Sequence, residues 1–536
     1  MLFLRSLAGL LSALASLLIA GMALAVDLPV LVANLTTGSF GDRETAVGAL
    51  ATSGDARAAP ILEALAAGQL YVRKSDNTVL IGKPDGNQLA LTEAISGKPA
   101  GSGSEAELDR VRVNNRLRGV IEAAVGSLTL MSPDARVRRE AADALFKRRD
   151  ASSLAALDQA LAVEKDPRIK RIMSEARAAS VLASDAPAAQ KVEAIALVRE
   201  RGDRDALGVL QATASSSDGE VKVAATAGAE AVRQTLAAWE AAQNVWYGIS
   251  LGSVLLLAAI GLAITFGTMG VINMAHGEMV MLGAYTTFVV QEVIRTSAPH
   301  LFDASLVIAL PLAFLVSGGI GILIERGIIR FLYGRPLDTL LATWGLSLVL
   351  QQAVRSIFGP SNREVGAPSW MSGAFQVGQL NITYGRLWIV VFALVVFFAL
   401  ILLLRRTPLG LYMRAVTQNR PMAAAMGIRT PRVDALTFGL GSGIAGLAGV
   451  ALSQIDNVSP NLGQGYIIDS FMVVVFGGVG NLFGTLVGAT ALGIVNKFLE
   501  PYAGAVLGKI LVLVFIILFI QRRPRGLFAL KGRSVE

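Results

Sequence analysis

Cysteine is absent from the 536 residues, and histidine occurs only as His276 and His300. Without thiols there is no disulfide framework and no thiolate metal site. Two histidines are too few to build a zinc centre, and no cofactor is expected. Charged residues are scarce, at 16% against 53% hydrophobic, and the mean hydropathy is +0.56. That is too apolar for a soluble globular protein of this length. A phosphate loop is also missing. The nearest stretch, Gly504-Ala-Val-Leu-Gly-Lys509, is one residue short between its glycines and has Ile510 where Ser or Thr is needed.

What charge there is falls unevenly. From Asn244 onward there are 20 Lys and Arg against 11 Asp and Glu, a balance of +9, while the residues before it carry 28 and 29, a balance of −1. The basic excess belongs to the loops of a membrane half. It forms no face for nucleic acid.

Residues 1–25 read as a secretory signal: Arg5 in the n-region, an apolar run Leu7–Leu24, and the small-residue site Ala23-Leu24-Ala25. Residues 26–243 are Ala-rich, charged and helical in pattern. An Asp opening an amphipathic helix recurs at Asp42, Asp134, Asp166, Asp185 and Asp218, with spacings of 32 (Asp134 to Asp166) and 33 (Asp185 to Asp218). That period resembles HEAT-like repeats, in which helix pairs stack to bury a shared stripe. A small hairpin is expected where Leu70–Arg73 and Thr78–Ile81 flank Lys74–Asn77, within a stretch near 70–100, followed by a flexible linker at Lys98–Ser104. This half carries no catalytic chemistry. It reads either as a docking surface for a periplasmic partner or as a stabilising extension.

The membrane half, 244–536, holds nine apolar segments, near 246–268, 271–293, 305–325, 337–357, 387–404, 435–455, 468–482, 484–499 and 505–520. Several approach the ~20 residues that cross a ~30 Å core. Two of them are short and Gly-rich, so eight to ten spans are expected. The fold class is therefore all-α: a polytopic transmembrane helix bundle preceded by a HEAT-like helical-repeat domain. With a periplasmic N-terminus, Arg326–Arg335, the loop 405–434 and the tail from Arg522 all fall on the cytoplasmic side, as positive charge prefers. The expected location is a bacterial inner membrane, in contact with lipid. Gly439-x-x-x-Gly443 and Ser442-x-x-x-Gly446 suit close helix packing within the bundle or between subunits.

Two polar groups stand out in the spans. Asn273, His276 and Glu278 lie in Gly270-Val-Ile-Asn-Met-Ala-His-Gly-Glu278, which the topology puts near the cytoplasmic turn after the first span. They form either a helix break lining a path or a capped structural turn. Thr343, Ser347 and Gln351 are four apart and share a helix face. Such a stripe must face the bundle or a wet cavity. It offers partners without fixed charge to a small neutral solute, or else interhelical hydrogen bonds.

The loop Arg405–Asp434 has six arginines and no acid before Asp434. Its apolar residues suit one or two short helices, broken at Pro421 and stopped at Gly427. Within it TPLG, RAVTQN and AAAMGI, followed by RVDALTFGLGSGIAGLAGV, resemble the coupling loop of permease subunits in ABC importers, the branched-chain amino acid and urea permease family above all. The Gly270–Glu278 stretch is similar to that family's INxAHGE-type motif, and residues 473–493 and 522–528 are similar to its late glycine-rich and terminal motifs. The resemblance covers roughly 245–530. The wording of the fourth span and the exported extension look most like the urea-importing member.

The resemblance implies a transport subunit, not an enzyme. It implies pairing with a second related permease subunit, cytoplasmic ATP-binding subunits, and a periplasmic substrate-binding protein. Arg414, Gln418, Asn419, Arg420 and Gly427 would couple to the ATPase, with Arg414 and Arg420 as rim contacts. Urea would be the solute, with branched-chain or other amino acids or amides as the alternative. A passive channel for a small neutral solute, or a membrane enzyme using His276 and Glu278, are the rivals from other classes.

Overall fold

The computed structural model describes residues 28–528 except 53, 54, 56, 86, 87, 105 and 106. The expected signal segment lies outside the described residues. The chain divides into two units, Met1–Leu236 and Ala237–Glu536.

The first unit opens with Leu28–Asn34 (α1), Phe40–Thr52 (α2) and Ala58–Ala66 (α3). The strands Leu70–Arg73 (β1), Val79–Asp85 (β2), Gln88–Glu93 (β3), Pro99–Gly103 (β4) and Leu108–Arg110 (β5) follow. They form one antiparallel sheet in the order β4-β3-β2-β1-β5. The purely helical expectation is therefore corrected here, because the sheet extends well past the expected hairpin. The stretch read as a linker is the edge strand β4. Pro99, its first residue, can lack an N–H at an edge. Gly103 lets the strand lie on Leu91, whose Cδ1 would come 2.8 Å from a Cβ placed there.

Helices complete the unit: Asn115–Leu130 (α4), Ala135–Arg148 (α5), Leu154–Val163 (α6), Pro167–Leu182 (α7), Ala188–Arg201 (α8) and Arg204–Ser216 (α9). Asp134 and Asp166 cap α5 and α7 through Arg136 N–H and Arg168 N–H, because a short carboxylate satisfies a first-turn donor that no carbonyl reaches. Asp42 instead lies inside α2, and Pro187 rather than Asp185 precedes α8. Buried Leu145, Phe146, Met173, Val198 and Leu210 belong to the core these helices share.

Glu164, just after α6, is half-buried with its side chain covered, and accepts from Arg138 Nε at 2.7 Å and Nη2 at 3.2 Å. The Arg138 hydrogen bonds hold its carboxyl below the usual value of 4.5. A depressed carboxylate pKa contributes stability that is complete above the unfolded value and lost as pH falls through the folded one. Glu164→Gln should therefore melt at a lower temperature than wild type at pH 7, with the gap closing below about pH 4.5. Thermal unfolding followed by helical ellipticity checks this, and a gap independent of pH would refute it.

Helix α10 (Gly219–Met269) begins in the first unit and ends in the second. The second unit continues with His276–Ser297 (α11), Ser305–Gly327 (α12), Pro336–Phe358 (α13) and a hairpin Ala374–Val377 (β6) and Leu380–Thr383 (β7). Then come Tyr384–Arg406 (α14), Pro408–Gln418 (α15), Arg420–Ala425 (α16), Thr430–Leu452 (α17), Leu462–Gly477 (α18) and Leu482–Arg522 (α19). Among the described residues, five helices are long and apolar enough to cross a membrane: α10, 299–331, α14, α17 and α19. The last two apolar segments of the sequence are two arms of α19, which bends at Gly504 (φ 75°, ψ 164°) after Pro501.

Helix α17 is the core of the bundle and is buried along most of its length. Its glycines take the backbones of α11 and α12 into contact within this one subunit. A Cβ at Gly449 would come 2.0 Å from Val280 O, and one at Gly283 would come 2.0 Å from Gly446 O.

Candidate functional site

Between α10 and α11, residues 270–275 are not helical. His276 fixes where this break lies. Its Nε2 is 2.9 Å from Ala258 O, eleven residues before the end of α10, or roughly 16 Å back along that helix. The segment thus folds back alongside α10 and ends level with a point well before that helix's C-terminus. The glycines make the path possible. A Cβ at Gly261 would come 2.8 Å from His276 Cε1, and one at Gly277 would come 2.5 Å from Gly463 O on α18.

Irregular backbone among membrane spans survives only inside protein or beside water. Here, protein supplies several partners. Asn273 Oδ1 accepts from Ala275 N–H at 3.0 Å, and Thr343 Oγ1 accepts from Met274 N–H at 3.1 Å. Glu278 Oε1 accepts from Ser347 Oγ at 2.7 Å and from Gln351 Nε2 at 2.8 Å. Thr343, Ser347 and Gln351 are all buried on one face of α13, as their spacing predicts. The Glu278 carboxyl lies against this stripe. His276 stands apart from it, against α10.

Three polar atoms here are buried without a hydrogen-bond partner among the described residues: Asn273 Nδ2, His276 Nδ1 and Glu278 Oε2. Such atoms are rare in folded proteins. They give the break one unmet acceptor and two unmet nitrogens.

The loop after α14 folds into α15 and α16. The break falls at Asn419, whose Oδ1 accepts from Met422 N–H at 2.9 Å. Pro421 sits in the first turn of α16, where its missing N–H needs no partner. Gly427 (φ 87°) ends that helix. Gln418 and Asn419 are exposed, and Arg414 Nη1 donates to Leu404 O at 2.6 Å. Arg420 turns inward. Its guanidinium forks onto the carboxylate of Asp434, which is 1% exposed, and lies 4.7 Å from the Tyr333 ring centroid. Burial pushes the Tyr333 hydroxyl up, so it remains a donor to Glu325 Oε1 at 3.0 Å. Beside these, Leu411, Met422 and Met426 are 57%, 59% and 77% exposed.

Sequence reasoning passed over Asp434 as a partner and missed a second pair. Asp469 on α18 is buried, and its Oδ2 accepts from Lys509 Nζ on α19 at 2.8 Å. An ionisable residue inside an apolar segment was the available signal, but the forty residues between the two hide the pairing.

Residues 244–520 match the family model described as the permease component of branched-chain amino acid transport systems. The chain is 30% identical over 292 residues to the high-affinity branched-chain amino acid transport system permease protein BraD of Pseudomonas aeruginosa, covering 53% of this chain and 94% of the relative. It is 31% identical over 297 residues to the corresponding protein LivH of Salmonella typhimurium, with the same coverage of 53% and 94%. It is 25% identical over 264 residues to the ribose import permease protein RbsC of Escherichia coli K12, covering 48% and 78%. No solved structure matches.

Proposed function

The chain belongs to the permease-component family of branched-chain amino acid transport systems, and from that premise we propose that it is the membrane subunit of an ATP-driven importer for a small nitrogen-bearing solute. The observation that carries the solute reading is the buried helix break, with the unmet acceptor Glu278 Oε2 and the unmet nitrogen Asn273 Nδ2. Asn273, His276, Glu278, Thr343, Ser347 and Gln351 form or support the solute path. With no phosphate loop in the sequence, ATP hydrolysis belongs to separate cytoplasmic subunits. These dock on α15 and α16, where exposed Leu411, Met422 and Met426 lie among the arginines. A second related permease subunit and a periplasmic binding protein complete the assembly. The N-terminus is periplasmic and the C-terminus cytoplasmic, and the Asp-capped helices of the first unit form a HEAT-like stack.

Urea is the solute of our first reading. It is neutral, donates through its N–H groups and accepts through its carbonyl, which complements a carboxylate acceptor and an amide donor. An α-amino acid adds a carboxylate, and no Lys or Arg is among the buried residues described. The family resemblance of the fourth span and of the extension supports the same choice. The second reading is a branched-chain amino acid, favoured by the names of the relatives and by the capacity of Glu278 to pair an ammonium group.

Uptake of radiolabelled urea and leucine at micromolar concentration, in cells with this chain deleted and then restored, separates the readings. Urea uptake that returns on restoration and stops on ATP depletion supports the first. Restoration of leucine uptake alone moves the solute to amino acids. Flux that survives deletion of Leu411–Ala425 would sink the coupled importer and leave a channel.

A further inference from the structure

The first unit contains a cleft of about 1050 Å³ between the start of α2, the turn after α3 and strand β5. Four arginines line it, Arg43, Arg110, Arg112 and Arg118, against a single acid, Asp109. Asp109 is 3.6 Å from Lys74 Nζ, outside the lining. Among the described residues, the other carboxylates nearby are engaged elsewhere. Glu44 pairs with Arg116, and Asp42 accepts from Ser39. Arg43 donates from Nη1 to Arg112 O at 3.0 Å, while its Nε is buried without a partner among the described residues. Arg110 lies over Gly68, where a Cβ would come within 2.1 Å of its Nη2. Glycine at 68, with φ +65°, is what lets that guanidinium form the floor.

We propose that this cleft binds an acidic peptide segment of a partner protein. Guanidinium groups offer only donors, arranged to fork onto carboxylates, so the ligand must be anionic and rich in acceptors. The volume is at the top of the ~300–1,000 Å³ range that small ligands occupy, which suits several residues better than one inorganic anion. Phe40, Val72 and Val111 add apolar lining for side chains between the acids. An anionic bilayer is the weaker match, since a flat headgroup surface does not enter a concave cleft. The proposal is independent of the transport reading, whose residues all lie in the second unit.

Fluorescence anisotropy with a labelled hexaglutamate peptide, on the full chain in zwitterionic nanodiscs, tests it. Binding should weaken with added salt and fall about tenfold or more in an Arg110→Gln, Arg112→Gln double variant, as loss of charge-assisted hydrogen bonds implies. Gly68→Ala, which displaces Arg110 while keeping every charge, should weaken binding as well. Unchanged affinity in both variants overturns the proposal. So does capture of the chain by phosphatidylglycerol vesicles that depends on Arg110 and Arg112 when the peptide does not bind.

Discussion

Glu278→Gln is expected to abolish most uptake while the protein still accumulates and assembles. The glutamine carbonyl can keep the place of Oε1, which accepts from Ser347 and Gln351. What changes is the other atom. The unmet acceptor Oε2 becomes an NH2 donor, and the charge is lost. If Glu278 only ties α11 to α13, the variant transports near the wild-type rate. If Oε2 receives the N–H groups of the solute, losing that charge-assisted contact costs about 1.5–3 kcal/mol, or roughly 10- to 150-fold in uptake at low solute concentration. Glu278→Leu makes the contrast. It leaves the buried Ser347 hydroxyl without its acceptor and Gln351 Nε2 with Ser347 Oγ alone, at about 1–3 kcal/mol for an unmet donor, so the amount of protein should fall as well. Initial rates of uptake, normalised to membrane-inserted protein by immunoblot, decide between them. Near-normal flux in Glu278→Gln would remove Glu278 from the solute path.

The same residues show how far sequence reasoning reached. Thr343, Ser347 and Gln351 were legible as one face, because spacing by four on a helix needs no tertiary information. Glu278 was legible as an acid that an apolar segment must satisfy somehow. Their meeting was not legible. It depends on how residues 270–275 fold back against α10 and α13, and a charge count carries no such tertiary information. The signal was present in part: Gly261 and Gly277 are small where His276 and Gly463 approach. A glycine states that something comes close without stating what. In the first unit the error ran the other way. Lys98–Ser104 has the composition of a linker, yet backbone groups pair whatever their side chains, and β3 offered an open edge. The caps at Asp134 and Asp166 were readable because a cap is a local interaction, whereas Asp42 and Asp185 do not cap.

Arg420→Ala should be the most destructive change in the loop 405–434, for a reason the sequence did not indicate. As a rim contact, Arg420 would be worth little to folding. In the structure it neutralises Asp434, which is 1% exposed at the start of a membrane helix, and it covers Tyr333. Breaking a buried pair from one side costs about 3–5 kcal/mol. The lower figure applies because the Arg420 side chain is itself 40% exposed. The single variant should therefore lose both abundance and uptake. Arg420→Lys should lie between, since a lysine cannot fork onto a carboxylate and stack on a ring together. The informative variant is Arg420→Ala with Asp434→Asn, which removes the uncompensated charge. If Arg420 is an internal strut that holds α16 against α17, the double variant regains abundance and most of its uptake. If its guanidinium also contacts the ATPase, abundance returns and transport does not. Uptake per inserted subunit, compared across the three variants, thus separates support of the coupling helices from coupling itself.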